Sequence, residues 1–273
     1  MLLKNKYEIV DAHGHFGQLN LFHIPYDSPE ALIKNMDDVG VLRLCISSFI
    51  SLQVDSQYGN KEVFDVIKRY PERFLGYATV SPYMSAKEMV EELNRCFYEY
   101  GFSAIKLHPY FNGKAVEDEA FLPVYEYAHE HHLTILIHYG IQSRYVEEIV
   151  QRYPNVSIIL AHFGGAWDGV SEEPILQLVN QYPQIYTDTA SSIFYFKSIE
   201  NLVKHVDVNK IIFGSDMPFL NLAGQVGRIT KADMDDESKQ KILAGNFKSL
   251  IRKKKINGDI KSNPERGDLN AMD

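Results

Sequence analysis

The feature that most constrains the fold is a series of eight short apolar runs distributed along 273 residues. Each run is rich in β-branched residues and almost continuously apolar, as is typical of a parallel strand covered on both faces. Successive runs begin about 29 residues apart on average, close to the ~30 residues of a strand, a helix and their loops. The predicted strands are 7–13, 41–48, 74–81, 104–108, 134–138, 157–162, 185–190 and 211–216.

The segments between the runs show helical periodicity. Within 86–100, apolar residues recur at intervals of three and four, as on the buried face of a helix. Another such segment begins at Ser28 and Pro29, a typical helix cap followed by proline in the first turn. We expect the last helix over 237–255.

Eight strand and helix units in succession favour an α/β fold, a single (β/α)8 TIM barrel over residues 1–255. The polar segment 256–273 has few large apolar residues, and we expect a disordered tail there. An open doubly wound sheet is the alternative. Its usual GxGxxG signature is absent after the first run, where the sequence is HGHFG.

Composition excludes several classes of protein. The net charge of -8 and the pI of about 5.7 argue against a surface for nucleic acid or anionic membrane. There is no run of the ~18 apolar residues that a membrane span needs, and the first residues do not resemble a signal peptide. A cytoplasmic location is therefore expected. The two cysteines, Cys45 and Cys96, have neither metal-ligand spacing nor the number for a disulfide framework.

The residues that could perform chemistry lie where the predicted strands end. In a barrel of this kind, the active site is built from the carboxyl ends of the strands and the loops after them. Five of the ten histidines, one lysine and one aspartate occupy such positions: His13, His15, Lys106, His108, His138, His162 and Asp216.

Four of these residues predict a metal site. His13 and His15 are two residues apart, so both side chains point the same way in an extended strand. Together with His138 and Asp216 they form a nitrogen-rich set that suits one divalent ion, zinc first, with manganese or iron as alternatives. Any one of them alone could be a structural histidine or a helix cap. Their conjunction on one face favours the metal site.

The remaining strand-end residues have several interpretations. His162 would be free to act as a general acid or base if the ligand set is complete. Lys106, with His108 nearby, could bind a substrate carboxylate, could be carboxylated to bridge two metals, or could pair with a neighbouring carboxylate. Aromatic residues in the loops would suit an apolar substrate, although ordinary packing also explains them: Phe16, Phe22, Tyr110, Phe111, Trp167, Phe194 and Phe219.

The strand-end motifs are similar to those of a known family. DAHGH, KLHP, ILIH, ILAHFGG and IIFGSDMP resemble the amidohydrolase superfamily, in particular the branch that includes aminocarboxymuconate-semialdehyde decarboxylase. The resemblance implies a small-molecule enzyme with the metal ligands named above and catalytic roles for His162 and Asp216. It also implies a single metal ion, an uncarboxylated Lys106 and a homodimer.

Two reactions are compatible with these residues. The first is hydrolysis of an amide, lactone or ester by a metal-activated water. Asp216 would take or orient the proton of that water, and His162 would polarise the carbonyl or protonate the leaving group. The alternative is nonoxidative decarboxylation of a small carboxylic acid, aromatic acids included, with His162 or Asp216 delivering a proton to carbon. A binding protein without activity would not need His162 beside a complete ligand set. Sequence alone does not separate the two reactions.

Overall fold

The computed structural model describes residues 6–19, 21, 23–25, 27–138, 142–165, 174–192 and 195–252. The predicted tail at 256–273 and three of the loop aromatics, Phe22, Trp167 and Phe194, lie outside these residues. The strands are β1 Val10–Phe16, β2 Arg43–Ser48, β3 Phe74–Ala78, β4 Ala104–Leu107, β5 Thr134–Ile137, β6 Ser157–Leu160, β7 Ile185–Asp188 and β8 Ile211–Ile212.

Helices separate the strands throughout the described part of the chain. They are α1 Pro29–Val39, α2 Phe49–Gln53, α3 Ser56–Arg69, α4 Ala86–Asn94, α5 Pro109–Asn112, α6 Leu122–Glu130, α7 Ser143–Arg152, α8 Pro174–Gln181, α9 Ser198–His205, α10 Leu222–Thr230, α11 Asp236–Gln240 and α12 Asn246–Arg252. The predicted start of the first helix is confirmed, because the Ser28 side chain accepts a hydrogen bond from the amide of Ala31. No helix within the described ranges has the length and apolar character needed to cross a bilayer.

The eight strands form one parallel sheet in chain order. The first strand and the chain just after the last one are joined by three backbone hydrogen bonds. The amide of Ala12 donates to Phe213, that of Asp216 to His13 and that of His15 to Met217, at 2.7 to 3.0 Å. These bonds bring the two edges of the sheet together, and the predicted single (β/α)8 barrel is confirmed.

Strand boundaries differ from the prediction mainly at the end of the barrel that carries the histidines. β8 ends at Ile212 instead of continuing to residue 216, since the amides that follow no longer pair with β7, and several of them bond to side chains. The amide of Ser215 donates to Asp11 Oδ1, and that of Met217 donates to Ser215 Oγ. Conversely, β1 extends to Phe16, with a register irregularity between Asp11 and Gly14.

The inside of the barrel is a packed apolar core. Inward residues from seven of the strands, with Ala161 just after β6, form one cluster with residues of the last helical segment, and Tyr186 of β7 packs against it: Val10, Ala12, Cys45, Tyr77, Ala104, Leu136, Ile159, Ala161, Ile212, Ala244, Phe247 and Leu250. This segment contacts the chain just before two strands, since Lys248 pairs with Glu8 and Asn246 donates to the carbonyl of Val208. It therefore covers the amino ends of the strands, and the carboxyl ends remain for the site.

Candidate metal centre and active site

The two histidines of β1 meet an aspartate that follows β8. His15 Nε2 lies 3.1 Å and His13 Nε2 lies 3.5 Å from the same carboxylate oxygen, Oδ1 of Asp216. Gly14 separates the histidines, and a Cβ at this position would lie 2.5 Å from a methyl carbon of Leu44. Glycine therefore allows β1 to lie against β2 while both imidazoles face the barrel axis.

The protonation states of this group suit a cation. Burial lowers the pKa of both His13 and His15, so both imidazoles are neutral and have a lone pair to offer. For Asp216, burial alone would raise the pKa, but the neighbouring His13 and His15 rings outweigh it, and the pKa is held below its usual value. Two neutral imidazoles and one ionised carboxylate are a chemically suitable donor set for a divalent metal.

His162 belongs to the same cluster. Ligand atoms of His13, His162 and Asp216 all lie within 4.8 Å of one another. His162 Nδ1 donates to the backbone carbonyl of Ala190 at 3.2 Å, which leaves Nε2 as the nitrogen that faces the cluster. The sequence did not group His162 with the ligands, because it placed His138 in that position.

His138 lies next to His162 on the neighbouring strand end. Its Nδ1 is 3.2 Å from His162 Nε2, and its ring stacks on that of His108 with centroids 3.8 Å apart. Burial and the adjacent His108 lower the pKa of His138. When Nδ1 carries the proton and donates to His162, Nε2 of His138 keeps a lone pair for a ligand.

Lys106 points inward from β4 and is buried. Its Nζ donates to His13 Nε2 at 3.0 Å, and no carboxylate of the described residues forms an ion pair with it. Burial lowers the pKa of Lys106 to about 8, although the carboxylates of Asp216 and Asp188 oppose this effect. The pairing with a neighbouring carboxylate, one of the three interpretations of Lys106, is therefore not what the geometry shows.

An apolar wall lies beside the imidazoles. Phe49 stacks on His15 with ring centroids 4.8 Å apart, and Phe219 meets the same ring edge-on at 5.9 Å. Phe111 stacks on His108 at 4.1 Å. The wall consists of Leu19, Ile24, Phe49, Phe111 and Phe219. Of the predicted substrate-binding residues, Lys106 and His108 thus lie at the cluster, and Trp167 lies outside the described residues.

Two buried aspartates that hold the cluster were not singled out from the sequence. Asp188, the last residue of β7, accepts a hydrogen bond from His13 Nδ1 at 2.7 Å through Oδ2. Oδ1 of Asp11 accepts the amides of His13 and Ser215, and burial raises the pKa of Asp11 to about 7. Each is an aspartate within a predicted strand, close to its carboxyl end, which is the signal that could have identified them.

Comparison with known proteins gives the family. A family model described as Amidohydrolase matches residues 10–246. A 2-amino-3-carboxymuconate-6-semialdehyde decarboxylase from Dictyostelium discoideum is 23% identical over 233 residues, which cover 70% of this chain and 64% of that protein. The match thus spans less than two thirds of that relative's length.

Solved structures share the barrel at low sequence identity. A dihydroxybenzoic acid decarboxylase from a Polaromonas species, with bound manganese and the inhibitor 2-nitroresorcinol, has a TM-score of 0.68 at 16% identity and matches 90% of this chain and 97% of its own. A 4-oxalomesaconate hydratase from Rhodopseudomonas palustris has a TM-score of 0.67 at 21% identity, with 89% and 95% covered. Since the family model covers all eight strands and the residues at their ends, the protein belongs to the amidohydrolase family.

Proposed function

We propose that this protein is a metal-dependent decarboxylase of a small carboxylic acid with an apolar or aromatic body. The observation that carries the proposal is the contact between the charged cluster and the apolar wall, where Phe49 stacks on His15. A carboxylate could meet the cluster while the hydrocarbon part of the same molecule lies on the wall. The curated relative named above is a decarboxylase, which favours this reaction over hydrolysis.

His13, His15, His138 and Asp216 are the proposed ligands of one divalent ion. The donor set fits, because the imidazoles of His13 and His15 are neutral, the carboxylate of Asp216 is ionised, and both imidazoles already lie within 3.5 Å of its Oδ1. When bound, the ion would supply positive charge for the substrate's carboxylate or an adjacent oxygen. Zinc and manganese both accept such ligands.

Decarboxylation requires a proton at the carbon that loses the carboxylate. The bond between that carbon and the carboxylate breaks, its electron pair stays on the carbon, carbon dioxide leaves, and a proton takes its place. His162 is the better donor in its protonated form: Nδ1 keeps its hydrogen on the Ala190 carbonyl, and a proton taken up at Nε2, in place of the hydrogen bond from His138, can pass to the carbon. Asp216 is a poor donor because its lowered pKa keeps it ionised.

Lys106 is proposed to bind an anionic oxygen of the substrate. A buried ammonium without a carboxylate partner is costly, and an arriving carboxylate would compensate its charge. Because His13 Nε2 has one lone pair, a metal ion bound there would displace the hydrogen bond from Lys106, and an anionic oxygen of the substrate could then accept from the ammonium. Trp167 stays a predicted substrate contact.

The assay is release of carbon dioxide from a panel of dihydroxybenzoic and other aromatic acids by protein loaded with zinc or manganese. Hydrolysis of lactones and amides is measured on the same preparations. We expect carbon dioxide release, its loss on chelation and recovery on adding the metal back. Hydrolysis without carbon dioxide release, or full turnover without metal, would overturn the proposal.

Two variants distinguish the role of a metal ligand from that of the proton donor. His138→Ala should lose bound metal by elemental analysis, whereas His162→Ala should keep the metal and lose turnover at least about a hundredfold. His205→Ala, at the exposed end of α9, is the matched control and should behave as wild type. The reverse result, with metal lost only in His162→Ala, would exchange the two proposed roles.

A further inference from the structure

Asp188 contacts two functional histidines without facing the substrate space itself. It is fully buried at the end of β7. Oδ2 accepts from His13 Nδ1 at 2.7 Å, while Oδ1 accepts the amides of His162 at 2.9 Å and of Ala190 at 3.1 Å. Both oxygens of one carboxylate are therefore occupied by groups of the protein.

The contact with His13 determines which of its nitrogens carries the proton. A carboxylate only accepts, so Nδ1 must donate the hydrogen, and in the neutral ring Nε2 is left with its lone pair. Nε2 is the nitrogen that lies 3.5 Å from Asp216 and belongs to the proposed ligand set. Carboxylates in this position orient metal-binding histidines and raise their basicity.

The contact with His162 holds a strained turn. His162, Phe163 and Gly164 follow one another with φ of 59°, 57° and 64°, in the left-handed region that non-glycine residues disfavour. The amide of His162 donates to Asp188, and its ring donates to the carbonyl of Ala190, whose own amide also donates to Asp188. Asp188 thereby fixes the backbone of His162 directly and its ring through Ala190.

We propose that Asp188 is a positioning residue that sets two things together: the tautomer in which His13 binds metal, and the place of the proton donor His162. The inference rests on the proposed function, because it assigns Asp188 to the metal site and proton donor named there. If Asp188 has this role, replacing it by a neutral residue changes both the metal affinity and the ring nitrogen of His13 that carries the proton.

Asp188→Asn is the informative change because the side chain keeps its shape. With the amide oxygen toward His162 and Ala190, both backbone donors keep their acceptor, and the NH2 group then faces His13 Nδ1. The opposite orientation sets the NH2 group against two backbone donors and keeps only the contact with His13, which is two hydrogen bonds fewer. In the better orientation Nδ1 of His13 must accept, so its proton moves to Nε2, the ligand atom.

Two measurements test the proposal. Competition with a chromophoric chelator should show that Asp188→Asn weakens zinc or manganese binding by about 10–100-fold. In the metal-free protein, ¹⁵N spectra of the histidine rings should show the His13 proton on Nδ1 in the wild type and on Nε2 in the variant. Asp188→Glu retains the charge, and we expect it to preserve the wild-type tautomer.

The matched control is Glu92→Gln, which neutralises another buried carboxylate that bonds to Asn60 and Arg95. Metal affinity should be unchanged in this variant. An Asp188→Asn protein with wild-type affinity and an unshifted His13 proton would overturn the inference. If the wild type itself binds no metal, the proposed function fails, and the ring spectra still decide the role of Asp188.

Discussion

Gly214→Ala should damage the site although it removes no functional group. A Cβ at this position would lie 2.8 Å from His13 Cβ and 3.2 Å from Asp188 Cγ. His13 would have to retreat by about 0.6 Å to reach the 3.4 Å at which ordinary contact begins. A displacement of this size exceeds the ~0.5 Å within which a metal ligand must be held.

Two effects oppose each other in the stability of this variant. Overpacking in a rigid core costs about 1–3 kcal/mol, and replacing glycine by alanine recovers about 0.4–1 kcal/mol from the unfolded chain. We expect a net destabilisation of about 1–2 kcal/mol, which lowers the Tm by about 2–8 °C in a chain of this length. Metal affinity should fall at least about tenfold because His13 is displaced.

The assay is thermal unfolding together with a competition titration for zinc or manganese. Gly227→Ala is the control, since a Cβ at Gly227 in α10 would meet no atom within 4 Å. This control should gain about 0.5–1 kcal/mol of stability, because alanine is the better helix former. If Gly214→Ala instead matches this control in both stability and metal affinity, the steric reasoning is wrong.

Two further substitutions test the stability of the barrel independently of the metal site. Phe247→Ala empties a fully buried position inside the barrel and should lower the free energy of unfolding by about 3–5 kcal/mol. Metal affinity should be retained, because α12 lies at the amino ends of the strands, opposite the site. Denaturant unfolding and a metal titration check these two expectations. Asn60→Ala removes the donor that serves the Thr79 carbonyl and the Glu92 carboxylate, both at 2.8 Å, and should cost about 2–3 kcal/mol. An unchanged denaturation midpoint in either variant would contradict the packing or the hydrogen bonding described.

Prediction from sequence succeeded where the physical signal was local. The apolar runs and their spacing specify strands that must be covered on both faces, and this requirement leads to the barrel. The ends of parallel strands converge, so the positions of His13, Lys106 and Asp216 on one face followed from strand order alone. The strand ends were predicted less accurately, since after β8 the amide of Ser215 bonds to the side chain of Asp11, which is distant in sequence.

Which side chains contact each other within the site was decided only by the tertiary structure. Asp11 reaches the amide of Ser215, 204 residues away, and Asp188 reaches His13 across 175 residues. No periodicity encodes such contacts, because they depend on the irregularity of β1 and on which faces of neighbouring strands meet. The sequence by itself determined a (β/α)8 barrel with imidazoles at one end. Packing between distant strands decided which nitrogen of His13 is free, and which carboxylate holds it.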